Sequence, residues 1–351
     1  MLAITIADLR FRARQFLIAV VGAGTVFAIA LLLSGMVNGF YTEITRTVGS
    51  ADADGWVVPK GTSGPFTSIG GMPETMVEQL GSTPGVTAAE GMVISLQTTD
   101  RGDVGLERVM MVGAQPGGFG QVTPVEGSPV AGPRDAVVDR RLNLEIGDRF
   151  VMGGNRFDVV GLVEGKTMLG GTADAWISLE AAQRVLFNGQ PIVTSIVVQG
   201  TPETLPKRVK LLSNDEVEVD SIQPMIDAVN SVNNSKYLMW VVAAIIVAAL
   251  IYVSSLQRTR DFAVLKAVGA SSRSLFVGVA LQSVIVTALG ALLAISTAWL
   301  LKPMYPVPVE VTRAAYLSLP LIAVGVGIFA SLVALRRAVN VDPALAFGAG
   351  A

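Results

Sequence analysis

The sequence predicts a multi-pass α-helical membrane protein in which four transmembrane helices carry one large extracytoplasmic α+β domain. Three observations predict it. Hydrophobic residues make up 51 % of the 351-residue chain and charged residues only 15 %, where globular chains carry roughly a quarter; mean hydropathy is +0.56. Four long stretches hold no charged residue at all. Between the first two lies a segment, 38–236, with the charge of a soluble domain. Cysteine and histidine are both absent, which excludes disulfides, Cys/His zinc sites, cysteine nucleophiles and histidine-based triads.

Residues 1–15 come first. Leu2, Ile6, Leu9 and Phe11 alternate with Asp8, Arg10, Arg12 and Arg14. The segment reads either as a helix lying in the cytoplasmic membrane interface, with Arg10, Arg12 and Arg14 turned to lipid phosphates, or as a positive leader that only fixes topology. The first span, 16–37, sits in the charge-free stretch between Arg14 and Glu43. It is longer than the 7–15 apolar residues of a cleaved signal core, so it is expected to stay as an anchor. Gly35 and Gly39 near its outer end form a GxxxG, a spacing that lets helix backbones approach closely and marks a candidate dimer seam.

The remaining spans are 237–256, 275–301 and 316–335. Each has at least the ~20 residues needed to cross the hydrocarbon core. Orientation follows from the basic residues near the span ends. Residues 1–15, the 257–274 segment and the 336–351 tail together carry nine basic and three acidic side chains. The opposite loop, 302–315, holds Lys302, Glu310 and Arg313. Both termini are therefore expected in the cytoplasm of a bacterial cell, with 38–236 outside; residues 39–236 hold 15 basic and 24 acidic residues. Nothing in this charge distribution suits nucleic acid.

Within the large domain, Gly55–Val58, Val86–Thr98 and Ile192–Gln199 read as strands. Pro73–Leu80 reads as a short helix with Pro at its start and Gly81 after its end. Thr201-Pro202-Glu203 predicts a second helix with Leu205, Val209 and Leu212 on one face, followed by a strand over Glu216–Asp220. Two such βαβ-like halves predict a ferredoxin-like unit. Short strands at Arg149–Met152 and Phe157–Leu162, joined through Gly153-Gly154-Asn155, predict a hairpin; residues of about 105–180 are expected to form a small β subdomain. Ile222, Ile226, Val229 and Val232 recur at helical spacing ahead of Tyr237. They predict a stalk helix running into the second span, beside an extension of the first span through Glu43–Val48.

Two constellations in this domain resemble chemistry and are better explained without it. Gly161-Leu-Val-Glu-Gly165-Lys166-Thr167 has three residues between its glycines where a phosphate-wrapping loop needs four. Asp139, Glu145, Asp148 and Asp158 lie among Arg140, Arg141, Arg149 and Arg156 and read as solvated hairpin faces rather than a calcium loop. No catalytic constellation is found, and the chain is expected not to be an enzyme.

The segment 257–274 carries the mechanism. Residues 258–268 read as a short helix, with Phe262, Leu265 and Val268 as an apolar ridge between charged flanks. Gly269 supplies a left-handed stop, and Ser271 or Ser272 caps the next helix. The residues themselves fit both a socket on a partner protein and a turn lying on lipid headgroups.

Arg258-Thr-Arg260-Asp261-Phe262-Ala-Val-Leu265-Lys266-Ala-Val-Gly269-Ala-Ser271 closely resembles the coupling segment of FtsX/MacB-like permeases of ABC transporters. Gln257 stands where Glu is usual and Asp261 where Glu is common. Arg336-Arg337-Ala-Val-Asn-Val-Asp342-Pro343 resembles that family's C-terminal run. Leu142–Asp148 with Phe157–Gly161, then Ala175–Leu179, resembles its periplasmic core domain. The resemblance implies a homodimer working with two copies of a separately encoded cytoplasmic ATPase. ATP and Mg²⁺ would be bound by that partner, with no cofactor or metal in this chain. It also implies that Arg258, Arg260, Asp261, Phe262, Leu265, Lys266 and Gly269 contact the ATPase. Arg336 and Arg337, with Arg10, Arg12 and Arg14, are membrane-surface or partner contacts. The spans are almost free of ionisable groups, which argues against an ion path and for mechanical transmission. The expected function is permease work that moves the extracytoplasmic domain, in export or mechanotransmission of a peptide, lipid or drug-like cargo, with room for an extracytoplasmic partner. Two readings stand beside it: a membrane-anchored sensor or regulator of a cell-wall enzyme, and a small-solute importer.

Overall fold

The computed structural model describes residues 11, 13–100, 105–257, 259–305 and 307–339; the side chains at 259, 260, 272 and 333–339 lie outside that description. In chain order the elements are α1 (Ala13–Val48), β1 (Gly55–Pro59), β2 (Met72–Pro73), α2 (Thr75–Gly81), β3 (Val86–Asp100) and β4 (Leu106–Ala114). Then come β5 (Glu126–Gly127), β6 (Asp135–Asp139), β7 (Arg149–Met152), β8 (Asn155–Val163), β9 (Thr167–Met168) and β10 (Thr172–Ser178). They are followed by α3 (Leu179–Phe187), β11 (Ile192–Val193), β12 (Ser195–Gly200), β13 (Val209–Ser213), α4 (Asn214–Ile222), α5 (Ile226–Gln257), α6 (Thr259–Ala267), α7 (Ser272–Leu301) and α8 (Arg313–Val339). The chain divides into two compact units: Gly39–Asp227 with Pro306–Pro308, and the remainder.

In the larger unit, β13-β1-β12-β3-β4-β10-β6-β8-β5 form one sheet, with β7 paired to β3 and β8 and β9 paired to β10. Pairing is antiparallel except β4 with β10 and β6 with β8. Apolar side chains from the sheet, among them Val57, Val93, Met111, Phe157, Ile177 and Ile196, form its core with Leu80 of α2 and Ala182 of α3. The expected strands at 55–58 and 86–98 and the 149–162 hairpin are present, and the one expected at 192–199 is broken at Thr194 into β11, paired with β2, and β12 in the large sheet. The expected helix opening at Pro73 starts at Thr75 instead, because Pro73 pairs with Ile192 in a two-stranded ladder.

Three expectations are corrected. Residues 105–180 are not a separate β subdomain: β4 pairs with β3 along Val93–Asp100 and β10 runs beside β4, so the strands continue one sheet. The helix expected over 201–212 is absent; 201–208 is irregular and β13 follows. Pro206 would clash with the carbonyl four residues earlier in such a helix, and Val209–Ser213 instead pair along β1. The strand expected at 216–220 is helix α4. Ser213 Oγ caps the Glu216 N–H and the Glu216 carboxylate accepts from the Ser213 N–H, a capping box that overrides the Val-Glu-Val alternation. The two-βαβ expectation therefore loses its second helix. The strand order β13-β1-β12-β3 stands without it.

Among the described residues, four helices are long and apolar enough to cross a membrane: those containing α1, α5, α7 and α8. The predicted stalk continuity is observed, since α5 runs unbroken for 32 residues from Ile226 and α1 for 36 residues to Val48. The smaller unit is built from their apolar faces, with Phe27, Leu31, Val247, Ile251, Val279, Leu319 and Ala330 in one cluster.

Candidate functional site

Two places concentrate polar chemistry and exposed apolar surface: the short helix between α5 and α7, and the outer end of α1.

The helix α6 ends as the sequence predicts. Gly269 has φ of 101°, the Ala270 N–H reaches Leu265 O at 2.9 Å and the Gly269 N–H reaches Lys266 O at 3.0 Å. This paired closure needs a left-handed residue, which glycine supplies without a Cβ penalty. Ser271 then caps α7 through the Ser274 N–H at 3.2 Å. The predicted ridge is corrected in one respect. Phe262 is 4 % exposed and packs in the same cluster as Leu275, Val279 and Ala330, so it anchors α6 rather than standing on the exposed ridge. Val264, Leu265 and Val268 are 48 %, 36 % and 83 % exposed and form the free apolar face, with Asp261 exposed beside them and Lys266 half-buried. Arg10, Arg12 and Arg258 lie outside the described residues, as do the side chains of Arg260, Arg336 and Arg337. Arg14 is exposed in the first turn of α1.

Gly35 and Gly39 receive a different use from the one their spacing suggests. The Gly35 carbonyl accepts the Glu310 N–H at 2.8 Å, and a Cβ there would stand 2.6 Å from Val311 Cγ2. A Cβ on Gly39 would collide with the Pro308 carbonyl oxygen. Close approach is thus made to the chain's own 307–311 segment. Gly39→Ala is expected to displace that segment and cost about 1–3 kcal/mol, read as a lowered unfolding midpoint of the full-length chain.

The extension of α1 through Glu43–Val48 is expected from sequence, but no role for Glu43 or Thr47 is. Glu43, six residues beyond the apolar run ending at Val37, is 2 % exposed. Its Oε1 accepts the Gly170 N–H at 2.6 Å; its Oε2 accepts the Gly171 N–H at 2.9 Å and the Thr167 hydroxyl at 2.8 Å. Leu169, Gly170 and Gly171 all have positive φ, 52°, 79° and 100°. That turn presents successive N–H groups to one carboxylate, an anion-cradling arrangement. One helical turn further along α1, Thr47 Oγ1 lies 3.0 Å from Asp174 Oδ2 and 3.2 Å from Thr167 O. Lys166 donates its backbone N–H to Asp139 Oδ2 at 2.8 Å and its ammonium to Arg46 O at 2.7 Å, while the Arg141 N–H reaches Asp139 Oδ1 at 3.0 Å.

Asp139 and Asp174 are 1 % and 0 % exposed. Asp139 is therefore not on a solvated hairpin face, in contrast to Asp158, which pairs with Arg149 at 2.9 Å on the surface. Burial raises the pKa values of Glu43 and Asp139, against the hydrogen bonds each accepts. Burial holds the Asp174 carboxyl well above the usual carboxylate range; the hydrogen bond with Thr47 and the Lys166 charge oppose this, while the charges of Asp139 and Glu43 push the same way as burial. Burial lowers Lys166. The Gly165-Lys166-Thr167 sequence, set aside as a false phosphate loop, is thus the socket for the last turns of α1.

Residues 16–236 match the model of the MacB-like periplasmic core domain, and residues 237–343 match the FtsX-like permease C-terminal model. An uncharacterized ABC transporter permease of Mycobacterium bovis is 37% identical over 350 residues, 99% of each chain. A putative hemin transport system permease, HrtB of Staphylococcus haemolyticus, is 29% identical over 112 residues, covering 31% of this chain and 32% of that protein. Among solved structures, the periplasmic region of MacB from Actinobacillus actinomycetemcomitans aligns with 50% of this chain and 94% of its own at a TM-score of 0.35 and 12% identity. With both family models matched in sequence and a full-length relative in hand, the chain belongs to the ABC transporter permeases of the FtsX/MacB type.

Proposed function

We propose that this permease takes up the closure of a separate cytoplasmic ATPase through α6 and passes it to its large domain, moving that domain to expel or release a peptide, lipid or drug-like cargo. The observation that carries the reading is the division of labour on α6. Phe262 is locked into the helix bundle while Val264, Leu265 and Val268 stand exposed between Asp261 and Lys266. An apolar face held on a buried anchor is a rigid plug, and rigid apolar anchors flanked by charge suit a pocket on a partner. The chain acts as a homodimer with two ATPase copies; ATP and Mg²⁺ are held by that partner, so the permease itself catalyses nothing. The excess of Arg and Lys around 1–15, 257–274 and 336–351 supports α6 and both termini in the cytoplasm and the large domain outside.

The test is purification of the full-length chain from its native membrane, with an ATPase assay on what co-purifies. A stoichiometric ATP-hydrolysing subunit that is lost with Leu265→Glu, while the permease remains folded, is the expected result. Simultaneous charge reversal at Asp261 and Lys266 is expected to leave insertion intact and uncouple hydrolysis. A folded permease with no hydrolysing partner sinks the reading in favour of a membrane-anchored sensor.

A further inference from the structure

A hydroxyl group has one proton to donate. Thr47 Oγ1 is within hydrogen-bond distance of two acceptor-type oxygens, Thr167 O at 3.2 Å and Asp174 Oδ2 at 3.0 Å. A peptide carbonyl cannot donate. With an ionised Asp174 the single Thr47 proton is shared between the two oxygens; each contact is a full two-centre hydrogen bond when the second proton comes from the aspartic acid, giving a chain from Asp174 Oδ2–H to Thr47 Oγ1–H to the Thr167 carbonyl. The remaining oxygen of Asp174, Oδ1, is buried with no partner. That is tolerable for the carbonyl oxygen of a neutral acid and costly for a carboxylate. Glu43 presents the opposite case: three donors converge on its two oxygens, the environment of an ionised group.

We propose that α1 is fastened to the β9–β10 hairpin by two carboxyl groups in opposite protonation states, Glu43 as a carboxylate and Asp174 as a neutral acid donating to Thr47, and that loss of the Asp174 proton unfastens the last turn of α1. The groups facing Asp174 support this division. Glu43 approaches from α1 and Asp139 from β6, both repelling a charge on Asp174; Lys166 attracts it, and Arg141 acts on Glu43 and Asp139. The Lys166 ammonium is engaged with the Arg46 carbonyl and lies near the Arg46 charge. An ionised Asp174 would be a third buried carboxylate beside Glu43 and Asp139, and Thr47 would have to divide its one proton between it and Thr167. Asp174 is on this reading a positioning residue. Its protonation state stands independently of the transport reading; only its consequence for moving the domain rests on that.

The sign of the pH dependence follows. Below the ordinary aspartate pKa both folded and unfolded chains hold the proton. Above it only the folded chain does, so this contribution to stability is lost as pH rises towards the folded pKa and is constant beyond it. The full-length chain in lipid nanodiscs is examined by infrared spectroscopy and by pH-dependent unfolding read from the buried Trp56 and Trp176. Expected are a protonated-carboxyl carbonyl stretch at neutral pH that disappears in Asp174→Asn, and an unfolding midpoint that falls with rising pH less steeply in that variant than in the wild type. Thr47→Val is expected to move the same band to higher frequency and Thr47→Ser to leave it in place, which assigns the band without touching residue 174. Absence of the band at neutral pH, its survival in Asp174→Asn, or its indifference to Thr47→Val overturns the proposal. None of these readouts needs the ATPase, so they fail or succeed separately from the transport reading.

Discussion

Glu43→Ala is expected to destabilise the large domain by on the order of 3–5 kcal/mol, the largest effect of any single substitution considered for it. The substitution strands three buried donors, the N–H groups of Gly170 and Gly171 and the Thr167 hydroxyl. Each buried donor left unmade costs about 1–3 kcal/mol, and the losses are not additive because water enters the gap. Glu43→Gln distinguishes charge from shape. Its amide nitrogen faces donors and offers no lone pair, so glutamine is expected to recover less than half of the loss. The measurement is denaturant unfolding of the full-length chain followed by Trp56 and Trp176 fluorescence, both residues being 1 % exposed. Glutamine matching the wild type would show that Glu43 is held as a neutral acid.

Phe262→Ala is expected to cost on the order of 3 kcal/mol, whereas Leu265→Ala three residues later is expected to stay within about 0.5 kcal/mol. The contrast follows from burial: Phe262 fills space among α7 and α8 residues, and Leu265 projects from the same short helix. In ATPase coupling both variants are expected to lose function for different reasons. Phe262→Ala frees the helix, so its defect follows the loss of stability, while Leu265→Ala removes partner contact from a helix still in place. Detergent-titrated unfolding read from Trp240, alongside an ATPase assay of the assembled complex, separates the two. Equal stability of the two variants would remove Phe262 as the anchor.

These contrasts mark where the sequence was legible. Strands with alternating burial and a glycine-rich turn, such as Arg149–Val163, are local patterns and were readable. So were the Gly269 stop and the unbroken run from Ile226 into the second span, since both depend on residues adjacent in the chain. The 201–222 region was misread because its outcome is set by distant partners. The β1 strand pulls Val209–Ser213 into the sheet, although the Ser213-Asn-Asp-Glu216 capping box was a local signal that could have revealed α4. The inward turn of Phe262 depends on α7 and α8, which periodicity over nine helical residues cannot register. Least legible was the cluster on α1. Glu43 and Thr47 lie more than a hundred residues from Thr167, Gly170 and Asp174, and nothing local distinguishes Glu43 from an ordinary exposed glutamate.

The geometry at Glu43 limits what kind of movement α1 can deliver. The helix runs 36 residues with no proline, a length of about 54 Å at 1.5 Å per residue. Its contacts to Thr167, Gly170 and Gly171 span only 2.6 to 2.9 Å. Sliding α1 along its axis by a single residue, about 1.5 Å, would stretch and bend all three contacts at once, and turning it by one residue would face a neighbouring side chain to the socket. On the proposed function, the joint would act as a clutch: while these contacts hold, the β9–β10 hairpin follows the last turns of α1, and with them broken α1 reaches the sheet only through the chain leading into β1.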